Sequence, residues 1–262
     1  MAKVVVVYHS GYGHTQFIAQ AVAQGAGADL IAVDAEGNLP EGAWEALAAA
    51  DAIVMGTPTY MGGPSWQFKK FADASSKAWF TRAWQDKFFA GFTVSASLNG
   101  DKGSTLSYLT TLASQHGGLW VSLGMPPANK LASTRADVNN LGGSVGLLVQ
   151  APSDAGADKI PQGDVDTARQ FGERVAAVAQ RFKHRPELGH RHAVGLADID
   201  TTEKDGEAGH GAAAYQTATP STTASGRTPS RVALAWMSAA APSRRSRAQS
   251  RNRGRSPSRP IA

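Results

Sequence analysis

Apolar positions along this chain follow two alternating rhythms. Short, mainly apolar runs occur at Val4–Tyr8, Leu30–Val33, Ala52–Met55, Phe88–Val94 and Leu119–Leu123. Such runs suit strands buried on both faces of a parallel sheet. Between them lie segments with apolar residues three and four apart. The first, Gln16–Gly25, carries Phe17, Ile18, Ala21 and Val22 and stops at Gly25 and Gly27. Trp44–Ala50, Trp66–Ala72 and Leu106–Gln115 follow, the last stopping at His116-Gly-Gly. A closing amphipathic helix over Asp166–Phe182 sets Ala168, Phe171, Val175 and Val178 on one side. Strands alternating with helices predict an α/β fold. Five strands fit a doubly wound parallel sheet of order 2-1-3-4-5, with helices on both faces and right-handed crossovers. Residues 124–165 lack a clear period and read as a long functional loop or insertion.

Ligands of such sheets sit beyond the carboxyl ends of the strands, near the point where strand order reverses. The loops after the first, third and fourth strands converge there, and all three are rich in Gly, Ser and Thr. The first, His9-Ser-Gly-Tyr-Gly-His-Thr-Gln16, joins a strand to a helix N-terminus. Backbone N–H groups and the helix dipole favour an anion at that place. Ser10 and Thr15 add hydroxyl donors, and no Lys or Arg is present. A Walker loop is excluded by the absence of Gly-Lys-Ser/Thr. A dinucleotide fingerprint is weakened because Gln16 stands where the third Gly belongs after Gly11 and Gly13, although Asp34 imitates a ribose-binding acid. A monophosphate cradle lined by hydroxyls fits best, and a plain turn without a ligand stays open.

The chain has 262 residues and a net charge of +5, but the charge is unevenly placed. Residues 184–262 hold 12 Lys+Arg and 6 Asp+Glu, so the remainder is close to neutral at −1. Residues 221–262 contain nine Arg, no Lys and no acid, with Ser and Pro interspersed. A composition of that kind does not bury enough apolar surface to order itself. The expected division is a folded domain over 1–183 and a disordered, Arg-rich tail over 184–262. Nucleic-acid contact by the tail is an open alternative that no folded recognition motif supports. There are no cysteines, which removes thiolate chemistry and thiolate metal sites, and no metal site is expected. No apolar stretch approaches the ~20 residues of a membrane span, and the expected location is the cytoplasm.

The loop Gly56-Thr-Pro-Thr-Tyr-Met-Gly-Gly63, taken with His9–Gln16, resembles the flavodoxin-like superfamily, in particular the WrbA-type NAD(P)H:quinone oxidoreductases. Thr110-Thr-Leu-Ala with His116-Gly117 looks like that family's fourth helix, and Thr167–Ala176 like its last. The resemblance covers about residues 2–183. It implies a flavodoxin-like fold that binds FMN, takes hydride from NADPH or NADH and reduces a quinone or similar acceptor. A flavodoxin-like electron carrier is the alternative. Ser10, Gly11, Tyr12, Gly13, His14 and Thr15 would hold the phosphate. Pro58, Thr59, Tyr60, Met61 and Gly62 would border the isoalloxazine, and Ser95, Ala96, Ser97, Leu98 and Asn99 would close over its other side. His116 would lie near the flavin, and Tyr12 and Trp79 would meet the substrate. His116 equally suits a helix C-terminus, and Trp79 equally suits packing. The resemblance further implies a homo-oligomer, a dimer or tetramer. A hydrolase reading rests on Gly142-Gly-Ser144-Val-Gly146 with Asp154 and His184, and it lacks a strand before the serine.

Overall fold

The structure, a computed structural model, describes residues 1–183. In chain order its elements are β1 (Val4–His9), α1 (His14–Ala26), β2 (Asp29–Val33), α2 (Ala43–Ala48), β3 (Ala52–Tyr60), β4 (Gly63–Pro64), α3 (Trp66–Ala74), α4 (Ser76–Phe80), β5 (Phe88–Ser95), α5 (Lys102–Gln115), β6 (Leu119–Trp120), β7 (Leu147–Gln150) and α6 (Gln162–Lys183). The sheet runs β2-β1-β3-β5-β6, with these neighbours parallel. That is the expected doubly wound order. The fourth and fifth main strands are β5 and β6 because the two-residue β4, antiparallel to β3, enters the count. The tail over 184–262, its boundary, its Arg-rich segment and His184 lie outside the described residues.

The uniform burial of β1 follows from cover on both faces. Val4, Val6 and Tyr8 pack into one core with α1 and α6. Val5 and Val7 pack into the other with α2, α3 and α5. Strands β3 and β5 alternate in the same way, Val54 and Phe92 on the first side, Ile53 and Phe89 on the second. Each fully buried side chain of this size contributes about 1.5–3 kcal/mol relative to exposure. On the first side α1 and α6 meet through two glycines. A Cβ on Gly25 would lie 1.9 Å from the Arg169 carbonyl oxygen, and one on Gly172 would lie 2.1 Å from that of Val22. Any larger residue there forces the helices apart.

The fifth position departs from the expected Leu119–Leu123 strand. Only Leu119 and Trp120 pair with β5, at Phe88 and Phe89. The chain then leaves the sheet, and the Leu123 N–H donates to the Ser144 carbonyl at 3.1 Å. Strand β7 takes over beside the carboxyl half of β5, pairing Leu147–Gln150 with Phe92–Ser95. The stretch read as one long loop therefore contains a strand of the sheet. It was hidden because four residues between Gly146 and Pro152 carry too short a period. Helix α6 also starts at Gln162, ahead of the expected Asp166.

Candidate functional site

Strand β1 delivers the first loop to the carboxyl edge of the sheet. The Ser10 hydroxyl accepts from the Gly13 N–H at 3.1 Å, which folds the loop on itself. Gly13 has φ of 87°, a left-handed conformation that a side chain strains. The first N–H of α1 to find a helical partner is that of Phe17, bonded to the Gly13 carbonyl at 3.0 Å. The N–H groups of His14, Thr15 and Gln16 find no acceptor among the described residues. Thr15 is buried and lines a cleft there. The His14 Nε2–H donates to the Ala155 carbonyl at 2.8 Å, so its side chain ties the loop after β7 across the cradle.

The second loop starts as strand. Thr57 and Pro58 extend β3 to Tyr60, and Met61 (φ 48°) and Gly62 (φ 78°) reverse the chain into β4. The Gly62 carbonyl accepts from the Ser104 hydroxyl at 2.6 Å. Beneath, the Thr59 hydroxyl meets that of Thr93 at 2.7 Å and that of Thr105 at 2.9 Å, a buried trio that fixes β3, β5 and α5 together. His9 is pinned to the Ser65 hydroxyl through Nδ1 at 2.8 Å, and burial pushes its pKa down. Tyr60 stands over the first loop: a Cβ on Gly11 would lie 2.6 Å from its hydroxyl oxygen. Its ring meets that of exposed Tyr12 edge-on, centroids 6.3 Å apart. Burial raises the Tyr60 pKa, and Tyr12 adds to the rise.

The third loop, after β5, is held from below. The Ser95 carbonyl accepts from the Ala151 N–H at 3.0 Å, and the Ala96 carbonyl from Gln150 Nε2 at 3.0 Å. The Ser97 carbonyl and the Ser95 hydroxyl each accept from Lys102 Nζ at 2.7 Å. Three successive carbonyls thus point at donors beneath, while no described residue accepts from the N–H groups of Ala96–Asn99. Lys102 is almost wholly buried, and that burial lowers its pKa to about 8, with Asp164 opposing the fall and Arg135 adding to it. Asp164, itself buried, accepts from Arg135 at 2.6 Å and from the Gln150 N–H at 3.0 Å. Burial raises its pKa against those two partners.

The cleft between the three loops has a volume of about 340 Å³, within the ~300–1,000 Å³ of small-molecule sites. Of the residues singled out by sequence, it brings together Tyr12, His14, Thr15, Pro58, Thr59, Tyr60, Ser95 and Ala96. Ser10, Gly11 and Gly13 shape the cradle behind them, while Met61 and Leu98 are exposed at the rim. Ala151 and Ser153 also line it, and sequence reasoning missed them because they depend on β7. Lys102 was missed as well, since it fell in the polar stretch ahead of the helix expected from Leu106, whereas α5 starts at Lys102 itself. The donors present fit a phosphate ester joined to a flat ring with an acceptor-rich edge: free amides and hydroxyls at one end, free amides over a buried ammonium at the other.

Trp79 and His116 are placed elsewhere. They line a second cleft of about 220 Å³ that, among the described residues, shares no lining residue with the first. The Ser75 hydroxyl donates to the Ala72 carbonyl at 2.6 Å, so His116 Nε2–H donates to Ser75 at 2.9 Å. That leaves Nδ1 as a buried atom without a partner among the described residues. The ring lies 4.5 Å from that of Trp84, centroid to centroid, and burial lowers its pKa. His116 joins the ends of α3 and α5. Ser144 lies in the bend leading into β7, not on a strand-to-helix turn, so the nucleophile-elbow geometry is absent. Among the described residues no helix is long and apolar enough to cross a membrane.

Residues 3–125 match the family described as NADPH-dependent FMN reductase. The chain is 62% identical over 182 residues to flavodoxin FldP of Pseudomonas aeruginosa, covering 70% of this chain and 99% of that one. It is 33% identical over 203 residues to an NAD(P)H dehydrogenase (quinone) of Azorhizobium caulinodans, with 70% and 99% covered. Among solved structures, a flavodoxin, WrbA-like protein from Agrobacterium tumefaciens is 57% identical with a TM-score of 0.58, covering 69% of this chain and 99% of that one.

Proposed function

The chain belongs to the flavodoxin-like, WrbA-type flavoprotein family, and on that premise we propose that it is an FMN-dependent oxidoreductase that takes hydride from NADPH or NADH and reduces a quinone or similar small acceptor. The observation that carries the reading is the character of the cleft. It is open, its lining among the described residues includes no Lys, Arg, Asp or Glu, and Tyr12 and Tyr60 both line it. Small, flat reactants enter such a mouth in turn. Bound flavin supplies the acceptance and release of hydride. The chain's own residues supply the rest. Amides of His14–Gln16 with the Ser10 and Thr15 hydroxyls hold the phosphate. Pro58–Gly62 and Ser95–Asn99 border the ring. The exposed ring of Tyr12 governs which face stays open. Trp79 and His116 take no part in this reading. A cytoplasmic setting and assembly into a dimer or tetramer belong to the same proposal.

A second reading is favoured by the 62% and 57% relatives, both described as flavodoxins. In it the protein carries electrons between partner proteins and has no donor site of its own. Residues 1–183 hold 14 Lys+Arg against 15 Asp+Glu, a weak basis for the acidic docking surface such a carrier would use. Stopped-flow mixing of the FMN-loaded protein with NADPH or NADH separates the two. Saturable bleaching of the flavin band, reversed by added quinone, is expected. No bleaching at millimolar donor overturns the oxidoreductase and leaves the carrier.

A further inference from the structure

Lys102 is the feature of the site that the functional reading does not use. It lies at the start of α5, its ammonium bonded under the loop after β5, and the residue is 1% exposed. A lone lysine seldom sits so deep without a carboxylate in contact. Here its two bonded partners are neutral, the Ser95 hydroxyl and the Ser97 carbonyl, both at 2.7 Å. The same loop has its Ser95 and Ala96 carbonyls drawn down by Ala151 and Gln150. The net result is a strip of free N–H groups with a positive charge beneath it, a surface suited to an electron-rich ring edge.

Resting on the FMN reading above, we infer that Lys102 is a positioning residue whose charge, delivered through the Ser95–Ser97 loop, sets the affinity of the site for flavin and ties that affinity to pH. The charge bears on the ring through the loop. An ammonium held beside neutral dipoles in a buried place is costly, and an electron-rich neighbour repays part of that cost. Ligand binding and retention of the Lys102 proton therefore favour one another. With the free site's lysine titrating near about 8, affinity falls as pH rises through that value.

The other charged groups do not mimic this. Asp164 of α6 favours the ammonium and Arg135 of the insertion opposes it. Strand β5 carries no titratable residue, and β3 offers Tyr60, raised above its usual 10. His9 titrates below its usual 6.5. A phosphate ester's second proton leaves near about 6. The range from about pH 7 to about pH 9.5 is thus set by Lys102 alone among these groups.

The test measures quenching of FMN fluorescence by the full-length chain across that range, for wild type, Lys102→Met and Lys102→Arg. Wild type is expected to weaken by about tenfold from the lower to the upper limit. Lys102→Met is expected to bind about tenfold more weakly at the lower limit and to show a flat profile, since the charge that favours the bound ring, and its titration, are both gone. Lys102→Arg keeps the charge, does not titrate, and is expected to recover most of the affinity with a flat profile. Thermal unfolding without FMN is expected to leave Lys102→Met as stable as wild type or more so, because a buried charge has been removed. Equal loss in both variants, or a Lys102→Met that retains the wild-type profile, overturns the inference alone. A wild-type chain that binds no FMN overturns it together with the functional reading beneath it.

Discussion

The first and third loops of the cleft reach the same ligand by opposite means. The first is self-contained. Ser10 braces Gly13, Gly13 turns left-handed, and the amides of α1 follow within three residues. The third leans on distant chain: Gln150 and Ala151 from β7, and through Gln150 the Asp164–Arg135 pair that joins α6 to the insertion. A site assembled this way separates two tasks. Gripping the phosphate is a local property, while cradling the ring is a property of the whole carboxyl half of the fold.

The sharpest way to break this contrast is Asp164→Ala. It leaves Arg135 without its carboxylate and frees the Gln150 N–H, and Arg135 is only partly buried. A loss of about 2–3 kcal/mol in stability is expected in denaturant titration. FMN and riboflavin affinities should fall together, because the ring side is loosened. Next is Gly13→Val, which forces a β-branched residue into the left-handed region at about 1–2 kcal/mol. It should weaken FMN strongly and riboflavin hardly at all. Thr15→Val is expected to raise the Kd for FMN by about tenfold, near 1.4 kcal/mol, with riboflavin again unchanged. A first-loop variant that lowers riboflavin affinity as much as FMN affinity would erase the distinction between the two loops.

The smallest effect concerns pH. His9 and His116 are both held below their ordinary pKa by burial. The unfolded chain therefore binds more protons than the folded one just below pH 6.5. Their contribution is fully present above about 6.5 and is lost as pH falls through the lowered folded values. His116→Gln should flatten part of that slope in thermal unfolding and leave FMN affinity unchanged. A shift in FMN affinity would show that the second cleft and the first are coupled.

The same contrast decides what the amino-acid order reveals. Strands β1, β3 and β5 stand out because cover on both faces demands unbroken apolar runs. The first loop stands out because glycine, serine and a helix start are neighbours in the chain. Strand β7 does not, since its four residues gain meaning only beside Phe92–Ser95. Ala151, Ser153 and Gln150 inherit that invisibility, being useful only once β7 is in place. Lys102 is hidden for another reason: a lysine in a polar stretch ahead of the expected helix looks solvent-bound until Ser95 and Ser97 are seen to fold over it. The resemblance sets His116 near the flavin, a role that no local pattern specifies; among the described residues its partners are Ser75 and Trp84.

The divided fifth lane of the sheet makes this protein a natural candidate for fragment complementation. A backbone cut in the excursion between Pro126 and Leu141 leaves Leu119–Trp120 on one piece and Leu147–Gln150 on the other, each still able to find its own half of β5. Helix α6 would return to α1 through the glycine contact at Gly25 and Gly172. Two separately made polypeptides would then rejoin into one cleft, and recovery of flavin fluorescence quenching would report the reunion.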